Sequence, residues 1–179
     1  PLFQNSGTVE VTGGGELLVD GADLGPGLDT LPQGGTWNVR DGSRIDLAGQ
    51  TVSFNRADVT IDGEGSEFAG FETVQETGPT GSLNLEGGAD FTTAGDYLNL
   101  GTLAVGAGSQ FLVPTGSELL NYDAVANRLN EGVFVIEGQL GFPGANVVNL
   151  KSDVTLKGAA SQIVNTTGRK EMVLDIEGV

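Results

Sequence analysis

Short alternating segments recur along the chain. Thr8-Val9-Glu10-Val11, Val59-Thr60-Ile61, Leu83-Asn84-Leu85 and Thr102-Leu103-Ala104-Val105 place apolar residues at every second position, the period of a half-buried β-strand. Each runs into a glycine-rich corner: Gly13-Gly14-Gly15, Asp62-Gly63-Glu64-Gly65, Glu86-Gly87-Gly88 and Gly106-Ala107-Gly108-Ser109. A second short strand follows the corner, as in Glu16-Leu17-Leu18-Val19 and Gln110-Phe111-Leu112-Val113. Helical periodicity is almost absent. Asp123-Ala124-Val125-Ala126-Asn127-Arg128-Leu129 is the exception, readable as a helical turn or as a wider loop.

The segments also repeat at long range. Phe3 to Val11 lies over Tyr97 to Val105 at an offset of 94 residues, and Leu17-Leu18-Val19 then meets Phe111-Leu112-Val113. Asp58-Val59-Thr60-Ile61-Asp62-Gly63 meets Asp153-Val154-Thr155-Leu156-Lys157-Gly158 at an offset of 95, Gly49 meets Gly144, Ser66 meets Ser161, and Trp37 falls near Phe134. The chain of 179 residues therefore reads as one β-solenoid segment of two units, 1–94 and 95–179, the second truncated. The predicted fold class is all-β, a parallel β-helix. One coil cannot bury its apolar face alone, but coils stacked about 4.8 Å apart share a core. At about 20 to 25 residues a coil, about seven to nine coils fit. The alternation sends Val9, Val11, Leu17 and Val19 inward and leaves Glu10 and Glu16 in water. A β-sandwich with a coincidental duplication is the competing architecture.

Charge narrows the function. There are 24 acidic against 8 basic side chains, a net charge of -16. Such a field repels phosphate, and Arg40, Arg44, Arg56, Arg128, Lys151, Lys157, Arg169 and Lys170 form no basic stripe. Nucleic-acid binding and attachment to anionic membrane are disfavoured. No apolar run is long enough for membrane insertion as a helix, and Pro1 to Asn5 shows no signal-peptide pattern. With no Cys and no His, Ser-His and Cys-His nucleophiles, His-ligated metals and disulfides are excluded. Carboxylate chemistry, calcium or no chemistry remain.

Several segments resemble a known group. Gly34-Gly35-Thr36-Trp37-Asn38-Val39, Asp90 to Tyr97, Leu100 to Ser109 and Leu140 to Val147 look like parts of bacterial secreted β-helix repeat proteins, similar to autotransporter passenger domains and filamentous-haemagglutinin-type adhesins. Ala22 to Gln33 and Ser117 to Asn130 fit least well. The resemblance implies a right-handed parallel β-helix, extracellular or on a bacterial cell surface, serving as stalk or adhesive scaffold. It carries no catalytic residues.

Four chemistries remain open to these residues. Asp20, Asp23 and Asp29, Asp62, Glu64 and Glu67, and Glu86 with Asp90 offer calcium oxygens on glycine-rich turns. The same residues also make soluble turns, and neither the nonapeptide calcium roll nor an EF-hand loop is present. Asp58 and Asp62 point the same way from one strand, which raises a polysaccharide lyase or glycoside hydrolase. Against it, Lys157 stands opposite Asp62 in the second unit and no cation cluster offsets an acidic substrate. Of the aromatics, Trp37 and Tyr97 read as core, which leaves Tyr122 as the candidate for glycan or cell-surface contact. Thr60, Thr155 and Thr92-Thr93 make no coil-to-coil threonine ladder suited to ice, and Asn165-Thr166-Thr167 is a sequon that also suits a turn. The expected function is a non-catalytic acidic rod with no cofactor, capable of self-association through open solenoid ends. A carbohydrate- or surface-binding adhesin module, with Ser117 to Asn130 carrying recognition, is the first alternative.

Overall fold

The computed structural model describes residues 5–19, 30–31 and 34–167. The chain winds as a parallel β-solenoid of about six turns. Each of the first four turns contributes three short strands. The first holds β1 (Thr8–Val11), β2 (Glu16–Leu18) and β3 (Thr30–Leu31); the second holds β4 (Thr36–Arg40), β5 (Arg44–Asp46) and β6 (Phe54–Asn55). Next come β7 (Asp58–Asp62), β8 (Glu67–Ala69) and β9 (Glu76–Thr77), then β10 (Ser82–Glu86), β11 (Asp90–Thr92) and β12 (Leu98–Asn99). The fifth turn has β13 (Thr102–Val105), β14 (Gln110–Leu112) and β15 (Tyr122–Asp123). The chain continues through β16 (Arg128–Ile136), β17 (Gln139–Phe142), β18 (Asn149–Leu156) and β19 (Gln162–Asn165).

Strands from successive turns pair in parallel. The longest sheet runs β1-β4-β7-β10-β13-β16, with β18 also on β16. Its register steps, from Val9 through Trp37, Val59, Leu83, Leu103 and Phe134 to Val154, are 28, 22, 24, 20, 31 and 20 residues. An offset of 94 or 95 therefore spans four turns, and the register also sets Trp37 and Phe134 four turns apart in one inward column. Among the described residues this pairing gives about six turns, against the seven to nine expected. The second face is split into β2-β5-β8 and β11-β14-β17-β19, and the third is β3-β6-β9-β12.

Alternation decides what is buried. Trp37, Val59, Leu83, Leu103 and Phe134 form one inward column, and Val39, Ile61, Leu85, Val105 and Ile136 form the next. Where the second face breaks, Phe71–Thr73 forms a 3-10 turn after the left-handed Gly70. Phe71 stacks on Phe68 at 5.1 Å and meets Phe91 at 5.9 Å. Ring packing thus carries the core across a gap in the hydrogen-bond ladder. Asp123 to Leu129 is not helical: Tyr122 and Asp123 pair antiparallel with Leu129 and Arg128. Among the described residues, no helix is long and apolar enough to cross a membrane.

Two recurring polar contacts hold several of the corners. Asn5, Asn55 and Asn99 each stand three residues before a long-sheet strand. Their side-chain amides donate to the carbonyls of Thr36, Ser82 and Val133, the first paired residues one turn on, at 3.0, 2.9 and 2.9 Å. The hydroxyls of Ser43, Ser66 and Ser109 accept the backbone N–H of Gly14, Gly42 and Gly88, each at 3.1 Å. These groups, buried except for the half-buried Asn5, satisfy backbone atoms that the corners leave unpaired.

Tyr97 is fully buried, and its hydroxyl pairs with that of Thr77 at 2.8 Å. Burial pushes the phenol well above its ordinary range, only partly offset by Thr77. A raised native value means that Tyr97 contributes its full stabilisation below about pH 10, the unfolded value, and loses it as the pH climbs further. Urea melts at neutral and strongly alkaline pH are expected to show this decline. Tyr97→Phe should cost about 1 kcal/mol at neutral pH, by orphaning Thr77, and flatten the alkaline loss. An equal alkaline slope in both proteins would assign the decline to other groups.

Candidate functional site

The solenoid's outer faces mix polar side chains with exposed apolar ones such as Leu18 and Leu150, and are crossed by ion pairs. Arg40 reaches Glu10 at 3.5 Å and Asp62 at 2.6 Å, while Arg44 reaches Asp46 at 2.8 Å and Glu67 at 3.3 Å. Lys157 meets Glu137 at 3.3 Å. Most of these pairs link adjacent turns, so the few cations offset repulsion between stacked acids. Each exposed pair contributes little alone, about 0 to 1 kcal/mol.

The sequence-derived candidates fall in different places. Asp20, Asp23 and Asp29 lie outside the described residues. Asp62 is engaged by Arg40, and Glu64 is exposed on the following corner. Among the described residues, no three carboxylates gather as a metal-binding group. Asp58 and Asp62 sit at opposite ends of β7, about 13 Å apart along an extended strand. Asp58 accepts a hydrogen bond from Ser82 at 2.9 Å and lines a shallow groove with Gly34, Gly35, Arg56 and Thr80. Thr60 and Thr155 share an outward column with Glu10, Asn38, Asn84, Ala104 and Val135. Thr92 is exposed and Thr93 buried. Asn165 makes a turn, its side-chain oxygen accepting the N–H groups of Thr167 and Gly144, both at 2.9 Å.

Ser117 to Asn130 supplies the departure from regular winding. Here the step between rungs is the longest, and the extra chain folds as the β15–β16 hairpin. Asp123 accepts the N–H groups of Val125 and Ala126, each at 3.0 Å, and pairs with Arg128 at 3.3 Å. The Ala126 N–H above all, helped by the Val125 N–H and the Arg128 charge, holds its carboxyl below the ordinary range against a burial effect second only to the Ala126 bond. The hairpin is tied to β18 as well: Val148 and Asn149 donate to the Asn127 carbonyl at 2.9 and 3.1 Å. Glu131 and Gly132 both take positive φ where the β16 register shifts.

Beneath the hairpin lies a cleft of about 640 Å³, lined by Gly116 to Leu119, Tyr122 to Ala124, and the Pro143-Gly144 corner of the next turn. Tyr122 is half-buried, and its ring packs 5.1 Å from that of Phe142. Its hydroxyl donates to Asn127 Oδ1 at 3.0 Å and accepts the Asn146 N–H at 3.2 Å. Sequence reasoning singled out Tyr122 and its loop. It missed Pro143 and Gly144, which reach the cleft only because one turn stacks on the next. It also missed the corner asparagines, although Asn-x-x before a strand recurs at Asn5, Asn55 and Asn99.

No protein-family model, no curated protein and no solved structure matches this chain.

Proposed function

We propose that this chain is a non-catalytic, rigid, acidic β-helical stalk or filament-forming segment of a bacterial cell-surface or secreted protein. The observation that carries the reading is the parallel sheet that continues from β1 to β18, with one register shift on β16, over one shared core. Such a body resists bending because every turn is bonded to its neighbours by backbone hydrogen bonds. Its -16 charge discourages side-by-side aggregation. Association between copies runs through strand edges at the solenoid ends, where parallel pairing extends the ladder already present.

Size-exclusion chromatography with light scattering and small-angle scattering, run over a concentration series, tests this. The expected result is an elongated particle whose mass and length rise together with concentration. A compact particle overturns the stalk, and a short rod of constant mass overturns assembly. Runs with calcium and with chelator should coincide, because no cofactor is part of the proposal.

A second reading is a carbohydrate- or surface-binding adhesin module. It is favoured by one observation: the longest turn folds as a hairpin over a cleft instead of as a plain coil.

A further inference from the structure

We propose that the cleft beneath the β15–β16 hairpin binds a neutral pyranose glycan, with Tyr122 as the stacking platform and Glu118 as the hydroxyl acceptor. This rests on the surface-binding reading and gives it a site and a ligand class. The volume, about 640 Å³, lies within the range of small-molecule clefts. A pyranose has an apolar C–H face and a rim of hydroxyls, so it suits a wall that combines an aromatic ring with carboxylates.

The ring is already held in place. Phe142 supports one side, and Asn127 with the Asn146 N–H fixes the hydroxyl, so a ligand need not order it. Glu118 is exposed at the cleft, whereas Asp123 is committed to the hairpin turn and Arg128. Glu118 is therefore the carboxylate left to accept sugar hydroxyls. Leu119 and Pro143 add apolar wall, and Gly116 and Gly144 leave room for a ring to approach the backbone. No Lys or Arg lines the cleft. A uronate or sulfated sugar would meet two carboxylates and a net charge of -16 without a counter-charge. That rules against the anionic class and leaves the neutral one to be separated from a cationic amino sugar by experiment.

Saturation-transfer NMR with cellobiose, maltotriose and lactose tests the site, with trigalacturonate as the anionic arm and deacetylated chitotriose as the cationic arm. Saturation transfer to at least one neutral sugar is expected, with amide shifts confined to Gly116 to Ala124 and Gly144. Tyr122→Ala should weaken binding about tenfold, the loss of one stacking contact. Because that variant also removes packing on Phe142, Glu118→Gln serves as the exposed second variant and should weaken binding by at least threefold. No transfer from any neutral sugar at millimolar concentration, or shifts mapping elsewhere, overturns the proposal. Preference for chitotriose overturns the neutral class in favour of a cationic ligand. Adhesion to a glycan-free protein-coated surface is measured in parallel with wild type and a hairpin-shortened variant. Hairpin-dependent adhesion without sugar binding overturns the glycan and keeps the surface-binding reading; absence of both overturns both.

Discussion

Phe111→Ala is expected to lower stability by about 3–5 kcal/mol, the range for removing a buried phenylalanine ring. Phe111 is fully buried on β14 and stands in register between Phe91 and Leu140 of the neighbouring turns. Its ring lies 5.7 Å from that of Phe91 and 4.9 Å from that of Tyr97. Truncation therefore opens a cavity where two faces of the solenoid meet, and removes support from the buried Tyr97–Thr77 hydroxyl pair. In a stack whose units touch only their neighbours, such damage also weakens the coupling between the turns above and below. Hydrogen exchange should show lost protection at β11, β14 and β17 before β4 and β7. Chemical denaturation should register the global loss. A loss under 1 kcal/mol would mean that the cavity collapses or that the rings do not pack as described.

What the sequence discloses of this fold depends on whether a feature has a period. Val59, Ile61, Leu83, Leu85, Leu103 and Val105 alternate cleanly, and the strands that hold them are found where alternation predicts. The third strand of each turn has no such signal. β3, β6, β9 and β12 are two residues each, too short for a period of two to show. Their inward positions include Asn55, Thr77 and Asn99, polar residues that a hydrophobicity pattern counts as exterior. Asn55 and Asn99 are buried because the backbone carbonyls of Ser82 and Val133 accept their amides, and Thr77 because it pairs with the Tyr97 hydroxyl. Asp123 to Leu129 misleads in the opposite sense. Its Ala, Val and Leu spacing suits a helix, but pairing of Tyr122 with Leu129 and the Asp123 turn satisfy the backbone as a hairpin instead. The candidate site was half legible for a related reason. Tyr122 stands out because its segment breaks the repeat, whereas Pro143 joins the cleft from a turn that keeps it.

Glycine positions divide by what surrounds them, and Gly101→Ala is expected to cost about 3 kcal/mol, the upper end of overpacking. Gly101 is buried just before β13, and its N–H donates to the Thr77 carbonyl at 3.1 Å. A methyl group there would overlap the carbonyl oxygens of both Gly78 and Gly81. These are backbone atoms and cannot swing aside as a side chain does. The Gly78 oxygen accepts the Gly81 N–H at 2.9 Å, and the Gly81 oxygen accepts that of Thr102 at 3.1 Å. Relief of the overlap must therefore break the corner or the first bond of the long-sheet ladder between β10 and β13. Gly95→Ala is the matched control. Gly95 has no positive φ, and its new methyl would meet nothing within 4 Å. There the reduced freedom of the unfolded chain should make alanine neutral to stabilising by about 0.4–1 kcal/mol. Urea melts of both variants set the comparison. Equal stability in the two would remove close corner-to-corner contact as a cause of the fold's glycine demand. A large gap would make that contact, rather than backbone conformation alone, the reason such corners require glycine.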